Sequence, residues 1–437
     1  ILSLPLTFFS FKISGTDLTA FRVLLGINLF LFIAKISIVK SFRNIFHHVL
    51  KNEIIKHINF FILFVSLSFF TMLLFHGDFI TLKRAILNYF SIITYVLVYP
   101  IIVLTEIIFN KNFDKLFRKI SYVYICLVFF GFIQIIFAEF GVNLSYENLT
   151  EAAPENRSDF LGINLLRPNS LFGEPRNLSA ILFSIYFFRQ YFEHKFKNNI
   201  NLILIILIGF ICGSITFFLY LVLFGLFYFF LYNKKINFNK LIVITAIAIP
   251  LFFGTINSLL IITPRFLPYI ELIESIISLN TLPSILKEQA EDLFFGVYVY
   301  DILSLKIDIR NSLFGNGLGS FNYIMDGYFI EFFNIKIMDY VNKPLGSRIL
   351  PFTILLELGI IGSFLFFKIL RKSYSSINNL LMIDENQKSL LKLLFGSMVI
   401  GSLINASYFF ITGVIIIVYY SIVQDEPDLI THNKFYS

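Results

Sequence analysis

Long apolar stretches interrupted by short polar ones run along most of the chain. A helix needs roughly 20 apolar residues to cross a bilayer core of about 30 Å. By that measure the pattern predicts twelve spans. They lie near 1–11, 18–39, 58–76, 85–109, 120–141, 173–192, 200–213, 215–232, 240–262, 347–370, 389–406 and 408–424. The first reads as the tail of a truncated span. Residues 200–232 form one apolar run, which we split at Gly213-Ser214. Gly and Ser permit a break where other protein groups satisfy the freed backbone. No heptad array, low-complexity tract, clear internal repeat or strand-rich domain stands out.

Composition turns the pattern into a class. Hydrophobic residues make up 57% of the 437 and charged residues 14%. Soluble chains carry about 25% charged residues, and so little charge cannot cover a water-exposed surface. The expected fold class is an all-α polytopic membrane protein. Soluble enzymes and nucleic-acid-binding modules are excluded as the main reading. Cys126 and Cys212 both fall in apolar runs, so neither a disulfide framework nor a thiolate metal site is expected.

Charge sets the sidedness. Loops 40–57, 110–119, 189–199, 233–240 and 368–388 hold 18 Lys/Arg and 5 Asp/Glu. The alternate loops, 76–84, 142–172 and 263–346, hold 10 and 15. Basic loops stay cytoplasmic, which places the second set outside. The expected organisation is then nine spans over 1–262, with an outer loop at 142–172. A large extracytoplasmic loop follows at 263–346, then the last three spans over 347–424 and a cytoplasmic tail at 425–437. A loop as long as 263–346 is uncommon unless functional.

The outer side carries the candidate chemistry. Loop 142–172 enters the next span as Arg167-Pro-Asn-Ser170-Leu-Phe-Gly173-Glu174-Pro175-Arg176. Pro175 suits a first helical turn. A helix N-terminus with arginines nearby is a natural anion site, although an interfacial Arg167–Glu174 pair would be the plainer reading. The large loop contains Arg310-Asn-Ser-Leu-Phe-Gly315-Asn-Gly317-Leu-Gly319-Ser-Phe. Its glycines bring backbone close to something, which a tight turn explains equally well. No strand–turn–helix or Walker lysine makes it a nucleotide motif.

The next span opens at Arg348 and carries Glu357, Gly359 and Gly362. Glu357 lies about 13 Å deeper than Arg348 at 1.5 Å per residue. An intramembrane carboxylate is a functional candidate by default. A structural hydrogen bond to a neighbouring helix accounts for it as well. Glu139, near an outer span end, is another buried-carboxylate candidate, and Asp301 and Asp308, in the large loop, are lesser carboxylate candidates. No His/Asp/Glu spacing fits zinc, no Asp-x-Asp pair fits a metal-held nucleotide sugar, and no Ser/His/Asp signature appears.

Together these features resemble the bacterial O-antigen polymerase (Wzy-type) and ligase superfamily. The resemblance rests on the many spans, one large outer loop late in the chain and three motifs over roughly 120–410. The motifs are Arg167 with Ser170-Leu-Phe-Gly173-Glu174-Pro175, Leu-Phe-Gly315-x-Gly317-x-Gly319-Ser-Phe, and Arg348-x10-Gly359 with Glu357 and Gly362. Arg167 departs from the pattern, as no Gly follows at the Arg348 spacing.

The resemblance implies a GT-C-like architecture and an inverting, membrane-embedded glycosyl transfer. Repeat units would arrive on undecaprenyl diphosphate at the outer face of the inner membrane. No cofactor or metal is implied. Arg348 and Glu174 would be catalytic. Arg167, Arg176, Arg310, Gly317, Gly319 and Glu357 would bind diphosphate or sugar. Partners would be the lipid-linked repeat units, membrane lipids and a chain-length regulator, with no nucleic acid. A ligase would carry a His where Arg348 stands, which favours a polymerase. A ligase, a flippase or transporter, and a non-catalytic membrane subunit are the competing readings.

Overall fold

The computed structural model describes residues 10–13, 16–75, 79–109, 113–142, 144, 157–160, 163–166, 175–193, 199–212, 215–232, 313–320, 350–381, 383–404 and 408–425. The helices follow the apolar runs: α1 (Ala20–Ile38), α3 (Glu53–Phe75), α4 (Phe79–Ile92), α5 (Tyr99–Phe109), α6 (Phe113–Glu139), α7 (Pro175–Glu193), α8 (Asn199–Ile211), α9 (Ile215–Tyr232), α10 (Leu350–Asn378), α11 (Glu385–Ile404) and α12 (Tyr408–Asp425). A further helix, α2 (Lys40–Lys51), fills the first basic loop.

Among the described residues, four stretches are long and apolar enough to cross a membrane: Glu53–Leu74, Leu82–Phe109, Phe117–Glu139 and Thr353–Asn378. Shorter apolar helices accompany them, including Asn201–Ile211 and Ile411–Ile422. The surface is inverted relative to a soluble protein. Phe30, Phe60, Leu63, Leu67, Phe70 and Phe364 lie exposed along α1, α3 and α10. Apolar surface on this scale covers what faces lipid. The protein is a membrane-embedded helical protein.

The chain divides into two compact units. The first holds Ile1–Ile120, Gln190–His194 and Leu305–Ser437. Within it α3 packs along α10, α4 beside α3, and α12 against both α11 and α5. Residues Ile93–Val98 form a π-helical stretch that joins α4 to α5 without breaking the rod. The wide turn loosens a carbonyl there, and the Thr412 hydroxyl of α12 donates to the Tyr95 carbonyl. α2 is amphipathic: Phe42, Ile45 and Val49 are buried, while Lys40, Arg43, His47 and Lys51 are exposed.

The second unit holds Ser121–Arg189 and Lys195–Ser304. Its core is aromatic. Phe183 stacks on Tyr220 at 5.2 Å and on Phe224 at 5.4 Å. Helices α8 and α9 end and begin on either side of the expected split at Gly213-Ser214.

Several expectations change. The truncated span expected at 1–11 runs into a strand, Ser10–Ile13, paired antiparallel with Thr16–Thr19. That hairpin also takes the first residues of the span expected at 18–39, and α1 starts at Ala20. Part of loop 142–172 is a second hairpin, Arg157–Phe160 with Ile163–Leu166. Glu139 is exposed at the end of α6 rather than buried. The span expected at 240–262 and the tail beyond 425 lie outside the described residues. So does the large loop, apart from Leu313–Ser320.

Candidate functional site: a glycine turn in a helix break

α10 is interrupted at Gly359, where φ is 66° and ψ −167°. In an unbroken helix the carbonyls of residues 356 and 357 accept the amides four residues on. A break at this depth must offer the freed groups other partners. The turn Leu313–Ser320 supplies them. The Asn316 amide donates to the Leu356 carbonyl at 2.9 Å, and its side-chain Nδ2 donates to the same oxygen at 3.2 Å. The Gly317 amide donates to the Glu357 carbonyl at 3.1 Å. Ser68 Oγ on α3 reaches that oxygen at 3.5 Å.

Glycine is required on both sides of this contact. Gly315 has φ 77°, and a Cβ there would fall on the Glu357 carbonyl and the Leu358 amide. A Cβ on Gly359 would fall on the Gly315 amide and the Leu313 carbonyl. The two glycines thus face each other backbone to backbone. Gly317 and Gly319 extend the same fit. A Cβ on Gly317 would meet the Met72 side chain of α3, and one on Gly319 would lie 2.6 Å from the Ala85 amide of α4. The turn therefore sits between α3, α4 and α10. Leu318 and Ser320 are buried there.

Beside the turn is a buried ion pair. Arg84 on α4 places Nε 3.8 Å from Glu357 Oε1, with both side chains almost wholly buried. Asn88, one turn along α4, donates Nδ2 to Glu357 Oε2 at 3.4 Å. Residues four apart share a helix face, so one face of α4 holds both oxygens of Glu357. A lone carboxylate in such a place would be costly. A cation and an amide directed at it offset the desolvation.

The sequence pointed to eight residues. Three of them, Gly317, Gly319 and Glu357, come together, and their described contacts are to protein groups. Arg176 lies in the first turn of α7, directly after Pro175, the first helical residue. Arg167, Glu174, Arg310 and Arg348 lie outside the described residues. Arg348 precedes the first residue of α10 by two positions, and Arg310 precedes the turn by three.

Sequence reasoning missed Arg84, Asn88 and Asn316. Arg84 looked like the last residue of a loop. The signal was there, since Arg84 and Asn88 are four apart at the mouth of an apolar run, and polar groups at membrane depth are rarely idle. Among the described residues no three His, Cys, Asp or Glu side chains gather as metal ligands. In comparisons with known families, curated proteins and solved structures, no match to this chain was found.

Proposed function

We propose that this protein is a polysaccharide polymerase. It transfers a growing glycan from undecaprenyl diphosphate onto another lipid-linked repeat unit, at the outer face of a bacterial plasma membrane. One observation supports this reading most. Two motifs that carry the resemblance, the Gly315–Gly319 turn and the Glu357–Gly359 segment, are a single interlocked structure. They stand 40 residues apart in sequence, between Asn316 and Leu356. Their pairing gives the combination a physical reason that neither motif has alone.

On this reading the scaffold is GT-C-like. The acceptor hydroxyl attacks the anomeric carbon of the reducing-end sugar. The bond to the diphosphate oxygen breaks with inversion, and undecaprenyl diphosphate leaves. The acceptor proton goes to a carboxylate, for which Glu174 is the candidate. Arg348, Arg167, Arg176 and Arg310 stabilise the charge that develops on the departing diphosphate. Arginine suits this because its planar fork binds phosphate oxygens bidentately and stays charged. These assignments come from the resemblance. A separate chain-length regulator would be the partner.

The test is deletion of the gene, with surface glycans run on a gel and lipid-linked glycans analysed from the same cells. Single repeats on the surface with no ladder are expected. An unchanged glycan profile overturns the reading, and polymer accumulating on undecaprenyl diphosphate makes the protein a ligase. Arg348→Ala should leave the protein in the membrane and abolish chain extension. Normal polymer from that variant removes Arg348 from the site.

A second reading draws on the broken helix. Transporters use interrupted helices and buried charges as substrate sites, and α10 with Arg84 and Glu357 has both features. Single lipid-linked units trapped on the cytoplasmic side after deletion would favour this flippase reading.

A further inference from the structure

The turn Leu313–Ser320 is walled by α10 on one side and α4 on the other. Gly315 abuts the backbone at Glu357 and Leu358, and Gly319 abuts the backbone at Ala85. The neighbour of Ala85 is Arg84, and Arg84 reaches back to Glu357. The ion pair therefore braces the two walls directly beside the turn they enclose. Asn88 makes the same crossing one helical turn along.

We infer that Arg84 and Asn88 are positioning residues. They act through Glu357 to hold α4 and α10 at the separation that seats the Leu313–Ser320 turn. The inference rests on the polymerase reading for its catalytic consequence and on the geometry alone for the seating of the turn. Arg84 needs no contact with substrate. A neutral side chain at 84 relaxes the walls, the amides of Asn316 and Gly317 lose their carbonyl partners, and turnover falls while substrate affinity is kept.

The experiment is amide hydrogen exchange on the full chain in lipid nanodiscs, comparing wild type with Arg84→Gln, Arg84→Lys and Asn88→Ala. The wild type should protect the amides of residues 316 and 317. Arg84→Gln should speed their exchange at least tenfold and leave α11 unchanged. Asn88→Ala should do so by a few-fold, and Arg84→Lys should retain most of the protection. Where the wild type extends polymer, kcat should fall in the same order with KM unchanged.

If α11 also exchanges in Arg84→Gln, that variant has unfolded and Asn88→Ala decides, because it keeps both charges. Wild-type exchange at 316 and 317 in Asn88→Ala, together with wild-type exchange in a folded Arg84→Gln, overturns the inference. Exchange needs no turnover. Faster exchange in a protein that makes no polymer would sink the polymerase reading and leave the brace standing.

Discussion

α3 and α10 run side by side, and an ion pair stands near each end of their contact. At one end Lys372 of α10 meets Glu53 of α3 in the open, with Glu53 68% exposed. At the other, Arg84 meets Glu357 with 6% and 2% of their side chains exposed. The charges are the same and the surroundings are opposite. The open pair exchanges hydration for a contact of similar worth, so little is gained. The buried pair has no water to return to, and losing one partner strands the other. Burial, more than pairing, decides which of the two the fold depends on. The buried pair also has the turn packed against it, so its loss reaches beyond two side chains.

The largest effect should come from breaking the buried pair. Arg84→Met removes the cation that stands 3.8 Å from Glu357 Oε1, and a cost of about 3–5 kcal/mol is expected. The double variant R84M/E357L removes both charges and should restore much of the loss, because an apolar pair of similar volume is tolerated where a single charge is not. Thermal unfolding in detergent reads both. A double variant no more stable than R84M would mean that the pair is more than charge compensation.

Gly359→Ala comes next. The backbone there has φ 66°, and the added Cβ falls on the Gly315 amide. Strain of about 1–3 kcal/mol is expected from the dihedral alone, and the turn must also withdraw. Turn displacement should therefore exceed what the melting temperature shows. The measurement is exchange at residues 316 and 317 beside the melt. If both change in proportion, the glycine serves only the helix.

Sequence made the apolar helices legible because burial in lipid needs long apolar runs, and those survive any tertiary arrangement. Pro175 as the first residue of α7 was legible for a local reason, since proline lacks the amide that a first turn leaves unused. The amphipathic α2 was missed although Phe42, Ile45 and Val49 keep helical spacing. Its cations and histidines drew the reading toward a loop.

The site was half legible. Glycines announced a close backbone approach, but nothing local said that Gly315 approaches Gly359. That depends on which helices flank the turn, a matter of tertiary packing. Glu357 stood out by its depth. Arg84 did not, because one cation at a span mouth looks the same whether it faces water or a buried carboxylate.

The smallest effect should be at the open pair, and it tests the comparison most directly. Lys372→Ala removes the partner of Glu53. Glu53 stays hydrated and sits in the first turn of α3, where a carboxylate also meets the positive end of the helix dipole. Lys56, one turn along α3, also lies near Glu53. The melting temperature should stay within the error of the measurement, at low salt and at high salt alike. A clear drop that salt abolishes would mean that the exposed pair ties α3 to α10 after all, and burial would no longer separate the two ends. A clear drop indifferent to salt would point instead to the Lys372 stem, whose methylenes pack whether or not the charge is screened.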